Sequence, residues 1–135
     1  MSEAEPWKAD IKAILDLARS FDDDNYLAEA YIRQVVFGRR TGDEHISEQA
    51  SREALAAARR CGNEPMEAKA LALTAVTERW RGDRTATEQK IEEALRLARR
   101  LGDESVLAFV LFRAAFCYSA LGDFDRYYAL QLEQI

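Results

Sequence analysis

Residues 94–124 read ALRLARRLGDESVLAFVLFRAAFCYSALGDF. The stretch holds the end of one helix, a Gly-Asp break, a whole second helix and another Gly-Asp break. Residues 54–84, forty positions upstream, read ALAAARRCGNEPMEAKALALTAVTERWRGDR and repeat the pattern. Two copies at a fixed offset imply an array of repeats, and such an array is usually a scaffold for binding.

The same punctuation extends in both directions. Asp22-Asp23, Gly42-Asp43, Gly62-Asn63, Gly82-Asp83, Gly102-Asp103 and Gly122-Asp123 recur about every 20 positions. Gly can end a helix in the left-handed conformation, and the Asp or Asn after it can cap the next helix. The flanking charges agree: Arg39-Arg40, Arg59-Arg60 and Arg99-Arg100 fall in last turns, and Glu44, Glu64 and Glu104 in first turns, as the helix dipole favours. Pro6 and Pro65 sit near helix starts, where a missing N–H costs little. The spacing predicts seven helices, at 6–20, 24–40, 44–60, 64–81, 84–101, 104–120 and 124–135. Short links make consecutive helices antiparallel, and no strand alternation competes.

Composition fits one all-α domain spanning 1–135. Hydrophobic residues make up 48% and charged residues 32%, ordinary for a globular chain, and 6 Gly and 2 Pro leave helix formers in the majority. No apolar run is expected to reach the length that spans a bilayer, and the acidic N-terminus has no apolar signal core. Cys61 and Cys117 lie in helical patterns without metal-like spacing, which suits a reducing cytoplasm. A net charge of −5 argues against non-specific nucleic-acid binding.

The repeating unit has 40 residues. Leu15, Leu55 and Leu95 align at that offset, as do Ala18, Ala58 and Ala98, and Ala28, Ala68 and Ala108. Tyr31, Leu71 and Leu111 fill a large apolar position; Val35, Ala75 and Ala115 fill a small one. One helix pair cannot bury its own apolar face, so the pairs must stack.

These residues resemble tetratricopeptide repeats. Leu111, Ala114, Ala115, Tyr118, Gly122, Asp123 and Phe124 follow that family's order of large, small, aromatic and turn positions. The second unit keeps Leu71, Ala75, Gly82, Asp83, Ala94 and Leu95; the first keeps Tyr31, Gly42, Asp43, Ala54 and Leu55. The resemblance divides the chain into a leading helix (6–20) and three units (24–60, 64–101 and a shorter 104–135), and implies a right-handed α-solenoid. Long units of this kind resemble the sensor arms of bacterial LuxR-type regulators and nucleotide cyclases. The usual unit is about 34 residues, Glu78 and Gly38 stand where an aromatic is expected, and Tyr127 replaces a small Ala. HEAT repeats share the longer unit and rank second.

No catalytic constellation stands out. His45 is the only histidine, and it follows the capping Asp43. There is no nucleophile elbow and no Gly-rich phosphate loop. Asp22–Asp24 reads as a helix break and Glu92-Glu93 as a solvated face. The reading is therefore a non-enzymatic module with no cofactor and no metal.

In tetratricopeptide arrays the first helix of each unit lines the concave face. Carried over, this gives a groove of Ile32, Arg33, Val36, Arg39 and Arg40 from the first unit. Lys69, Leu73, Val76, Arg79 and Trp80 follow from the second, and Phe109, Phe112, Arg113 and Phe116 from the third. The spacing by three and four puts each row on one helical face. Arg forks suit carboxylates and aromatics supply buried area, so the expected partner is an acidic, apolar protein or peptide segment. No nucleic acid and no membrane is expected as partner.

The last second helix is short, and Leu107, Val110, Leu111, Leu130 and Leu132 are expected to leave an apolar end. That predicts either the N-terminal piece of a longer regulatory protein or a homodimer through the C-terminal helices. A further alternative is a small ligand in a closed pocket around Trp80, Arg113 and Phe116.

Overall fold

A chain that places a cap and a turn every twenty residues has to fold as short helices joined by tight corners. The computed structural model describes residues 5–20, 23–41 and 44–133, apart from the side chains of residues 5–8, 11, 37–41 and 44. Those residues form seven helices and no strand: α1 (Glu5–Ser20), α2 (Asp24–Thr41), α3 (Glu44–Cys61), α4 (Glu64–Trp80), α5 (Arg84–Leu101), α6 (Glu104–Leu121) and α7 (Phe124–Glu133).

The corners are built as the dipeptides require. Asn63 Oδ1 accepts from Met66 N–H at 3.1 Å, Asp83 Oδ1 from Ala86 N–H at 3.0 Å and Asp123 Oδ1 from Arg126 N–H at 3.2 Å. Asp23 and Asp103 cap α2 and α6 in the same way. Each bond satisfies an N–H that the first helical turn leaves without a partner. Gly102 and Gly122 end their helices at φ 70 and 79, a region that costs a residue with a Cβ about 1 kcal/mol or more. The Gly42-Asp43 corner lies outside the described residues.

Helices α2 and α3 are antiparallel. Ser47 at the start of α3 donates to Val35 O near the end of α2 (3.4 Å), and Arg60 near the end of α3 pairs with Asp24 at the start of α2 (2.9 Å). The second unit repeats the closure, with Arg100 on Glu64 at 2.7 Å, forty residues on from Arg60 and Asp24. Between units, α2 packs on α4 and α4 on α6. Helices α3 and α5, like α5 and α7, make no such backbone approach among the described residues. Long side chains bridge them instead: Arg59 to Glu93 at 3.1 Å and, forty residues on, Arg99 to Glu133 at 2.7 Å.

The core runs through α4. Ala70 to Thr77 are all buried, eight residues in succession, because helices lie on every side of this one. Its polar members bond locally: Thr74 Oγ1 donates to Ala70 O and Thr77 Oγ1 to Thr74 O, both at 2.8 Å.

Two expectations fail in α6 and α7. Helix α6, with only Glu104 and Arg113 charged along it, is by length and composition apolar enough to cross a bilayer (mean hydropathy 1.5). An all-round apolar helix is also what the interior of a helical stack requires. Second, Val110, Leu111 and Leu130 are buried, because α7 closes over α6. The large apolar side chains left exposed on α6 and α7 are Phe112, Phe116, Phe124, Tyr128 and Leu132. Tyr127 is half-buried where Ser47 and Thr87 are fully buried, and its ring meets Tyr128 edge-on at 5.2 Å.

Candidate functional site

The neighbouring faces of α4 and α6 bring four cation–aromatic contacts into one cluster. The Arg113 guanidinium carbon stands 3.4 Å from the ring centroid of Phe109, one turn before it on α6, and 5.8 Å from that of Phe112, the residue just before it. Arg113 also donates to Phe109 O at 3.2 Å, which fixes it against its own helix. From α4, the Arg79 guanidinium reaches the Phe116 ring at 4.8 Å, and Lys69 Nζ reaches the Phe109 ring at 5.5 Å. A guanidinium laid over an aromatic face keeps its charge while shedding water, a contact of about 0.5 to 2 kcal/mol.

Arg79 is not otherwise satisfied. Its Nε is buried without a hydrogen-bond partner, and no carboxylate pairs with it among the described residues. An unbonded buried donor is costly unless something arrives to meet it. Lys69 lies near Asp103. That carboxyl is held below the usual carboxylate range, first by the Val106 N–H, then by Ser105, with Lys69 a smaller influence.

The rest of the expected groove divides. Ile32, Leu73 and Val76 are buried in the core and present no surface to a partner. On α4 the reason is its neighbours: α2, α3, α5 and α6 all pack against this helix and cover Ala72, Leu73 and Val76. Trp80 and Phe109 are half-buried against that core. On α2, Arg33 is exposed but paired with Glu29 one turn before it (3.0 Å), and Val36 is half-buried. The side chains of Arg39 and Arg40 lie outside the described residues. What the fold assembles is thus narrower than the three-row groove: Lys69, Arg79, Phe109, Phe112, Arg113 and Phe116.

Sequence reasoning missed a second feature. An open cleft of about 500 Å³ is lined by Glu92, Leu95, Arg96, Arg99, Tyr118 and Arg126. Tyr118 follows Phe116 by two residues, so the cleft lies across α6 from the cluster. Burial pushes the Tyr118 hydroxyl up, and Arg126 beside it works in the opposite direction. Arg126 also reaches Asp123 at 3.4 Å and Glu92 at 3.9 Å. The signal was present in the 40-residue alignment, where Ala56, Glu78 and Ala86 become Arg96, Tyr118 and Arg126. His45 is exposed on a shallow surface with Glu48, Gln49, Arg52 and Glu53. Among the described residues, no three His, Cys, Asp or Glu side chains gather as metal ligands would.

Compared with known proteins, the chain matches no family model and no curated protein. The resemblance to tetratricopeptide repeats rests on the residues quoted for it.

Proposed function

We propose that this chain is a protein–protein interaction module, an α-solenoid of antiparallel helix pairs that holds an acidic, apolar peptide segment against the α4–α6 face. The solenoid reading is supported by the recurrence of the same ion pairs forty residues apart, Arg60–Asp24 with Arg100–Glu64 and Arg59–Glu93 with Arg99–Glu133. One geometric relation applied twice is what a repeat array produces.

The observation that carries the binding reading is Arg79. It lies over Phe116 with a buried Nε that nothing in the fold satisfies. A partner carboxylate would meet that donor, and apolar residues beside it would cover Phe116, which is exposed.

The test is a peptide array of 12-residue sequences varied in charge and apolar content, probed with the 135-residue chain. Peptides that combine Asp or Glu with Leu, Phe or Trp should be selected. Arg79→Glu should weaken the best of them about 10- to 100-fold, the value of a charged hydrogen bond, while Arg52→Glu on α3 leaves binding unchanged. Selection of basic peptides, or equal binding by Arg79→Glu, would reject the reading.

A further inference from the structure

We infer that the C-terminal end of the stack is a self-association surface, at which two copies of this chain join through α6 and α7 about a two-fold axis.

The inference begins with one row of equivalent positions. Ile32 on α2 is 7% exposed and Ala72 on α4 is 3% exposed, whereas Phe112 on α6 is 63% exposed. One turn earlier, Ala28 and Ala68 are fully buried, and Ala108 is exposed. Helix α2 has α4 beside it and α4 has α6 beside it. No further helix of this kind lies beside α6 among the described residues. The row on α6 is therefore built like two covered rows and lacks the cover.

The adjoining row on α7 says what kind of cover fits. Phe124, Tyr128 and Leu132 are 55%, 63% and 71% exposed. Forty residues earlier the same positions on α5 are Arg84, Glu88 and Glu92, with Arg84 and Glu88 paired at 3.1 Å and Glu92 exposed. Helix α5 is followed by two more helices, and they meet this row through polar contacts: Arg84 donates to Leu121 O at 3.3 Å and Arg126 on α7 reaches Glu92 at 3.9 Å. A following repeat therefore does not require an apolar row here. Phe124 and Tyr128 also lie across α7 from Arg126 and Glu133, which reach back to α5. Their row faces away from the stack.

A second copy of this chain meets both conditions. Its α6 is itself a first helix of the kind that covers α2 and α4, and an isologous contact supplies that cover to both copies at once. Phe112 stands one turn from Ala108, so an antiparallel α6–α6 contact sets a large side chain of each copy against a small one of the other. The α7 row of Phe124, Tyr128 and Leu132 carries no charge, so it offers nothing to the acidic partner of the α4–α6 face. Phe112, Phe124, Tyr128 and Leu132 together expose about 500 Å² of apolar side chain, most of the roughly 800 Å² per copy that a stable interface buries.

The experiment is sedimentation equilibrium of the full 135-residue chain from about 1 to about 500 µM, with circular dichroism of every variant. The expected mass is that of two chains. Phe112→Glu with Tyr128→Glu should weaken association at least about 100-fold with unchanged helicity, and Phe112→Ala with Tyr128→Ala should do the same by a smaller factor. Leu17→Glu, at the exposed apolar site on α1, should leave the dimer intact. So should Arg79→Glu, which separates this interface from the α4–α6 binding face. A monomer across the whole range, assemblies larger than two, a dimer indifferent to both double substitutions, or dissociation by Leu17→Glu would each overturn the inference.

Discussion

Asp103 shows how one side chain serves two elements. It follows the left-handed Gly102 that ends α5, and its Oδ1 accepts from Ser105 and Val106 N–H at the start of α6. These donors favour the ionised form and hold the carboxyl below its usual range. A group with a lowered folded-state value adds stability above the ordinary carboxylate pKa, about 3.9, and loses it as the pH falls through the folded value. Thermal melts should therefore show Asp103→Asn less stable than the unmodified chain at pH 7, with the gap closing below about pH 4. A gap independent of pH would mean that Asp103 acts through shape alone. The capping role was legible because it is local, set by a residue and the two or three after it. Arg79 was legible as a residue on a face, but its bare Nε was not. That depends on which side chains α6 supplies, and nothing in the spacing of α4 reports them.

At the scale of elements, the helix ends follow from the corners, and the expected spans differ from the observed ones by a residue or two. What periodicity could not tell was which face of α4 stays open. Its row 69, 72, 73, 76, 79, 80 has the spacing of a surface stripe, yet Ala72, Leu73 and Val76 are covered. Cover is decided by neighbours on other elements, and α4 has four of them. The aromatic row on α6 stays open for the opposite reason, with no helix beside it among the described residues. Leu71→Ala, in the middle of the fully buried segment, should destabilise the fold by about 2 to 5 kcal/mol in denaturant melts. Because helices surround the cavity it leaves, a loss under about 1 kcal/mol would mean that α4 is not held as described.

At the scale of the molecule, the 40-residue offset was the most informative feature of the sequence, because it ties contacts far apart in the chain to one another. It aligned Arg60 with Arg100 and Arg59 with Arg99, and the structure gives each pair the same type of partner. It marks Arg96, Tyr118 and Arg126 as departures from Ala56, Glu78 and Ala86 without saying that the three meet in one cleft. Departures carry the individuality of a repeat protein, and a single sequence does not say which of them matter.

The two layers of the stack are fastened by different means, and this sets how it can bend. One side is backbone laid close to backbone over alanines; the other is spanned by long side chains, Arg59–Glu93, Arg99–Glu133 and the longer Arg126–Glu92, all half in water. On the proposed solenoid arrangement the molecule is a leaf spring, stiff along the α2–α4–α6 edge and compliant along the α3–α5–α7 edge, with electrostatic fasteners that dissolved ions loosen. Raising salt from about 0.05 M to about 0.5 M shortens the reach of those charges to a few ångströms, and small-angle scattering should record a larger radius of gyration while helicity holds. Arg59→Gln with Arg99→Gln should show the wider radius already at low salt; a radius blind to both would mean that curvature is set by the alanine edge alone.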